Sequence, residues 1–142
     1  MILADVNVLI YALRPDAPQH ARSRAWVRQA VEARDRSFGV SRLVLSSIVR
    51  ITTNRKTFPD PETVDEAFSY CHWLMSRPNS VMLEPGERHW SIFERLCYET
   101  NTTGPRVTDA WLAALAIEHE CEWVTFDRDF ARFPGLRWSV PK

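Results

Sequence analysis

The chain has 142 residues, 45% of them hydrophobic and 25% charged, with only four glycines and a formal net charge of +0 at pH 7. That length suits a single domain around one apolar core, and the composition excludes a disordered, collagen-like or disulfide-stapled chain. Zero net charge excludes long-range attraction of the whole molecule to nucleic acid, so any surface for a polyanion must be local.

Residues 1–13 are apolar and β-branched around one carboxylate, Asp5, and predict a central strand closed by a turn at Arg14-Pro15-Asp16. This stretch has no basic leader region, and no apolar run in the chain reaches the roughly 18–20 residues of a membrane span, so a cytoplasmic protein without a membrane partner is expected. A helix follows over about 18–34, with Ala25, Trp26, Ala30 and Val31 on its apolar side and Arg22, Arg24, Arg28 and Arg34 on a solvated face. Residues 43–54 predict a second helix. Asp60-Pro61 opens a third, Asp60 as its cap and Pro61 in its first turn. In that third helix Val64, Ala67, Phe68, Cys71, Leu74 and Met75 repeat at helical spacing and predict a core-facing stripe, so His72 and Trp73 need no ligand role.

Residues 80–83 read as a short strand, Pro85-Gly86 as a turn, and 87–100 as a helix with Trp90, Phe93, Leu96 and Cys97 inward. After a polar loop at 101–106, Thr108 or Asp109 caps a helix to about residue 119, and 122–126 and 136–140 read as strands. Strands alternating with helices predict an α/β sandwich with a mainly parallel sheet, and no repeat or linker divides residues 1–142. Cys71, Cys97 and Cys121 are odd in number, share no CxxC spacing and read as reduced core residues.

The chemistry concentrates on aspartates. Asp5 ends the run Ile2-Leu3-Ala4, and Asp127 stands just beyond Trp123-Val124-Thr125-Phe126. Ligands of open α/β sheets bind outside the carboxyl ends of strands, so the two acids meet if their strands are neighbours. Asp109 joins them from a helix start, where the dipole favours a carboxylate, and Asp129 reaches the same cavity from the following loop. Such acids repel one another, and a hard divalent cation, Mg²⁺ or Mn²⁺, resolves the repulsion. Taken singly, Asp109 is equally explained as a helix cap and Asp129 as a turn residue. Asp5 is not so easily dismissed, because a carboxylate inside an apolar strand is costly without a role.

Other chemistries lack their parts. The chain has no GxGxxG, Walker loop or GxSxG, and His20, His72, His89 and His119 show no zinc-ligand spacing. An aspartyl-phosphate mechanism wants a second Asp two residues after the first, where this chain has Asn7. A phosphatase or receiver-like domain is therefore the weaker alternative.

With these residues placed, the chain resembles the PIN-domain toxins of the VapC type from residue 2 to its last residues. The segments that carry the resemblance are ADVNVLIYALRPDAPQHA, RITTNRKTF, LEPGERHW and, most specifically, VTDAWLAALAIEHECEWVTFDRDFARFPGLRW. The resemblance implies a PIN-like three-layer sandwich with helices flanking the sheet. It implies a Mg²⁺- or Mn²⁺-dependent endoribonuclease in which Asp5, Asp109 and Asp127 bind metal and carry the catalysis. Asp129, Asn7 and Thr108 would support those carboxylates or the bound water. It further implies an RNA substrate, a cognate antitoxin that inserts into the pocket, and a homodimer.

One departure matters. In LVLSSIVRITTN most relatives carry a Glu where this chain has Ser47, so one of four usual acids is absent and metal binding should weaken. The rival reading is accordingly a PIN-fold module that binds RNA or antitoxin with weakened catalysis. On the same helix Arg50 and Asn54 share a face with Ser47. Arg50 then either contacts an RNA phosphate or pairs with a nearby carboxylate, and Arg42, Arg55 and Lys56 are candidate rim contacts.

Overall fold

The structure, a computed structural model, describes residues 1–142. In chain order it contains β1 (Ile2–Ala4), α1 (Val6–Leu13), α2 (His20–Glu32), β2 (Phe38–Val40), α3 (Arg42–Thr52), α4 (Val64–Met75), β3 (Ser80–Met82), α5 (His89–Thr100), α6 (Val107–Glu118), β4 (Glu122–Val124) and β5 (Trp138–Ser139). Single 3₁₀ turns lie at Gly104–Arg106 and Arg128–Arg132. The five strands form one sheet in the order β3-β2-β1-β4-β5, and every pairing is parallel. Every residue of β1 and β2 is buried, as expected of parallel strands covered on both faces. The helices pack in two groups, α1 with α2 and α3 and α3 with α4 in one, α5 with α6 in the other. This is the α/β sandwich with flanking helices that the sequence predicts.

The first strand is at the centre of the sheet, with β2 on one side and β4 on the other. The chain therefore leaves β1 in one direction and returns to its other edge only near residue 122, with Leu3 opposite Trp123 and Ala4 opposite Val124. In open α/β sheets such a reversal of strand order marks where ligands bind, which here is the carboxyl ends of β1 and β4.

Local chemistry moves several boundaries from where periodicity put them. Residues 1–13 are not one strand: Asp5 adopts extended angles, accepts a hydrogen bond from Val6 N at 2.7 Å and caps α1. Strand β2, which the sequence reading lacks, is only three residues long and has no readable period. Its centre must be small, since a Cβ on Gly39 would lie 2.6 Å from Leu83 Cδ1 and 3.1 Å from Ile2 O.

Asp60-Pro61 does not open α4. Thr63 caps it instead, through a reciprocal box in which Glu66 N donates to Thr63 Oγ1 and Thr63 N donates to Glu66 Oε1. Asp60 is engaged elsewhere, its carbonyl accepting from Arg14 Nη2 at 2.7 Å. The predicted stripe on α4 is half right: Ala67, Cys71 and Leu74 are buried, whereas Val64, Phe68 and Met75 are exposed. On α5 Leu96 is buried and Phe93 and Cys97 pack partly, but Trp90 is 67% exposed. The inward residue at that end is His89, whose Nε2 lies 3.0 Å from Trp111 O.

Neither Thr108 nor Asp109 caps α6. The turn at Gly104–Arg106 runs directly into the helix, Arg106 takes the cap position, and Asp109 falls within the first turn. The cysteines are free, with Cys71 and Cys121 buried. Burial holds both thiols protonated, Cys121 being pushed up to about 11, so neither is a ready nucleophile.

Candidate active site

Asp5 follows the last residue of β1, and its backbone N donates to Val124 O at 2.8 Å, which fixes it beside the end of β4. The residue is only 6% exposed, and its carboxylate is met by three hydrogen-bond donors. Oδ1 accepts from Val6 N at 2.7 Å, while Oδ2 accepts from Thr125 Oγ1 at 2.7 Å and from Asn7 Nδ2 at 3.2 Å. Burial nevertheless dominates and raises its pKa to about 6; the bonds from Thr125 and Val6 pull it down, and the carboxylates of Asp109 and Asp127 push it up.

Thr125 is the residue that sequence reasoning missed. It is fully buried, donates to Asp5, and accepts from Asp127 N at 2.9 Å and Asn7 Nδ2 at 3.2 Å. Asn7 closes the ring, its Oδ1 accepting from Phe126 N at 3.3 Å. A single network thus ties Asp5, Asn7, Thr125 and the backbone of Phe126 and Asp127. The available signal was a hydroxyl inside the apolar run Trp123-Val124-Thr125-Phe126, two residues before an Asp.

Asp127 begins the turn at Arg128–Arg132 and accepts from Asp129 N at 2.9 Å. Asp129 is exposed and its Oδ2 accepts from Arg106 Nη2 at 2.6 Å. Asp109 is partly buried; desolvation raises its pKa, Arg132 and Arg106 lower it, and Asp127 and Asp129 raise it. Arg132 stands 4.0 Å from Asp109 Oδ2, and that same Nη2 is buried without a hydrogen-bond partner. The expected acids therefore act on one another at one edge of the sheet, but with two arginines among them, where the sequence reading has none.

The other expected residues sit differently. Thr108 is exposed and bonds none of the carboxylates. Ser47 Oγ donates to Leu43 O of its own helix at 2.9 Å. Arg50 lines a groove between α3 and α4 with Leu45, Val49, Phe68 and Met75 and stands three residues from Ser47 on the same helix, so the two are neighbours on its surface, whereas Asn54 lies beyond the end of α3. Asn54 accepts from Lys56 N at 2.9 Å and shapes the turn after α3. Arg42 pairs with Glu84 across the surface.

For a metal, the donor set is suitable and the cage is open. Asp5, Asp109, Asp127 and Asp129 offer only hard oxygen donors, and the raised pKa of Asp5, due first to burial and in smaller part to the carboxylates of Asp109 and Asp127, marks a site where an anionic charge is disfavoured without a cation. No three His, Cys, Asp or Glu side chains close into a ligand set, however.

The profile of the PIN domain family matches residues 2–136, and the chain belongs to that family. Its similarities within the family are to VapC proteins. It is 41% identical to Ribonuclease VapC25 of Mycobacterium tuberculosis over 141 residues, covering 99% of each chain. It is 38% identical to VapC ribonuclease Mb2897 of Mycobacterium bovis, over 99% of this chain and 95% of that one. The fold matches VapBC2 of Rickettsia felis bound to a promoter DNA fragment, with a TM-score of 0.69 at 16% identity over all of both chains. VapBC-1 of nontypeable Haemophilus influenzae gives a TM-score of 0.68 at 15% identity, covering 99% and 98% of the two chains.

Proposed function

We propose that the protein is a metal-dependent endoribonuclease toxin of a toxin–antitoxin pair. The observation that carries this reading is the buried Asp5, held by Thr125, Asn7 and Val6 at the switch point of the sheet, with Asp109 and Asp127 acting on it. A cluster of carboxylates in a sheet-edge crevice suits binding of a hard cation, and the full-length similarity to VapC ribonucleases supports RNA as the polymer cut.

In this reading Asp5, Asp109 and Asp127 hold Mg²⁺ or Mn²⁺, with Asp129 beside them. A metal held there would supply positive charge beside the scissile phosphate and would lower the pKa of a nearby water. The chain's own part is preorganisation. Thr125 and Asn7 hold the Asp5 carboxylate in one orientation, and the Thr125 bond to Asp127 N fixes the start of the turn that presents Asp127. Arg106 restrains Asp129. A phosphodiester entering beside Arg132 would offer an anionic acceptor to its unpartnered Nη2.

The VapBC structural neighbours support an antitoxin partner for this chain, and we extend the proposal to a homodimer. No helix is long and apolar enough to cross a membrane. A second reading, RNA or antitoxin binding with weakened catalysis, is favoured by one observation: Ser47 brings no charge, and its hydroxyl is occupied by Leu43 O. Incubating total RNA with the protein in Mg²⁺, in Mn²⁺ and in chelator separates the two. Cleavage by the wild type with metal, and none by Asp109→Asn, is the outcome of the nuclease reading. Metal-independent smearing, or equal cleavage by the variant, rejects it.

A further inference from the structure

A pocket of about 410 Å³, lined by none of the carboxylates, is walled by Tyr11 of α1, Pro18, Gln19 and Arg22 at the start of α2, Val140, and the two residues that flank Asp127 in the chain, Phe126 and Arg128. Its position is fixed by the same bonds that fix the acids. Phe126 N donates to Asn7 Oδ1, and His20 Nδ1 lies 2.8 Å from Tyr11 O, which anchors the start of α2 on α1. The Tyr11 and Phe126 rings stand 5.6 Å apart at 41°, and the Arg22 guanidinium lies over the Phe126 ring, 5.6 Å from its centroid.

Arg22 and Arg128 are paired with no carboxylate, whereas Arg106 and Arg132, the arginines among the acids themselves, each have one within 4.0 Å. Two unpaired guanidinium groups and two aromatic faces within one nucleotide's reach form a combination that suits a base and its phosphate. Aromatic and guanidinium planes stack unpaired bases, and guanidinium forks bind phosphate bidentately. A nearby site of this kind is also needed on electrostatic grounds. A cluster of aspartates repels a phosphate backbone, and the net charge of +0 supplies no general attraction, so the strand must gain its affinity beside the acids.

We propose that this pocket binds the nucleotide neighbouring the scissile phosphate in a single-stranded RNA. Its base stacks against Tyr11 and Phe126, displacing the Arg22 guanidinium from the Phe126 ring, and Arg22 and Arg128 take its phosphate. The proposal rests on the ribonuclease reading for the word scissile, but RNA binding tests it independently.

The test is fluorescence anisotropy with a labelled single-stranded RNA oligonucleotide, using Asp109→Asn protein in chelator so that nothing is cut. Arg22→Ala and Arg128→Ala should each weaken binding about tenfold and reduce the slope of log K against log salt by about 0.7. Arg22→Lys, which keeps the charge and loses the plane, should fall between. Arg95→Ala on α5, outside the pocket, should bind as the parent does. In the active background the two alanine variants should raise KM for the oligonucleotide and leave kcat within about twofold. Unchanged affinity and salt slope in both alanine variants overturns the subsite even if the wild type cleaves RNA. Arginine-dependent binding without any cleavage by the wild type upholds the subsite and rejects the nuclease reading instead.

Discussion

Thr125 Oγ1 donates to Asp5 Oδ2 at 2.7 Å, joining residues 120 apart in sequence and, with Asp127 N donating to the same hydroxyl, setting the geometry of two of the proposed metal ligands at once. Thr125→Val keeps the shape and removes that bridge. The pKa of Asp5 should rise further above about 6, because a bond that lowers it is lost. Stability should fall by about 1–3 kcal/mol, the cost of leaving buried polar partners unmet. Carboxyl NMR titration and urea denaturation measure the two effects, and an unmoved Asp5 titration would deny Thr125 its orienting role.

The raised pKa of Asp5 fixes the sign of a pH effect in metal-free protein. Between an unfolded value of 3.8 and a folded value of about 6 the native state binds more protons, so stability falls as pH rises through that window. At neutral pH the penalty approaches about 3 kcal/mol, at ~1.4 kcal/mol per unit. Asp5→Asn should therefore be more stable than wild type near about pH 7.5 in chelator, by up to that amount less its altered bonds to Asn7 and Thr125, with the gain vanishing near about pH 4. A gain of the same size at both pH values would place its origin elsewhere.

Position 47 allows a paired test. The Ser47 hydroxyl bonds its own helix, so Ser47→Ala should change stability by no more than about 0.5 kcal/mol and leave RNA cleavage intact. Ser47→Glu, which supplies the acid that the family resemblance leads one to expect there, should tighten Mn²⁺ binding measured by calorimetry. Equal Mn²⁺ affinities would mean that the side chain at 47 does not reach the site.

Gly39→Ala should cost about 1–3 kcal/mol, since the new methyl meets Leu83 Cδ1 at 2.6 Å and Ile2 O at 3.1 Å. Adding Leu83→Ala should show favourable coupling with it, as only the backbone contact then persists. Additive losses in denaturant melts would show that the clash is relieved another way.

The helices readable from sequence were those with several turns of period. Helices α2, α4 and α5 exist within a few residues of expectation because their apolar spacing is sustained. The short strands β3, β4 and β5 were legible because apolar runs and turn residues bound them, whereas the three residues of β2, Phe38-Gly39-Val40, have a glycine at their centre and no apolar run of their own, and the largely apolar stretch from Ile2 to Leu13 hides the point at which β1 ends at Asp5. Phe68 and Met75 have the spacing of core residues, and periodicity cannot say that the surface they face lies open.

At the site, Asp5, Asp109, Asp127 and Asp129 were recognisable because each stands at an element boundary. The arginines among them were not, since Arg106 and Arg132 approach through the turns at Gly104–Arg106 and Arg128–Arg132, whose path no spacing rule gives. Thr125 was hidden for the opposite reason: Thr is at home in any strand, so its presence there asks for no explanation.

The placement of β1 between β2 and β4 also has a consequence in time. A chain is synthesised from its amino end, so Asp5 is made early, while the strand that pairs with its own, and the threonine that orients it, follow some 120 residues later. A nascent chain interrupted before α6 carries Asp5 but neither Asp109 nor Asp127, and one edge of its first strand has no neighbour. A chain that has not yet reached residue 127 therefore lacks at least one of the three acids proposed to hold metal, and the proposed site is complete only once the last part of the chain has docked beside β1.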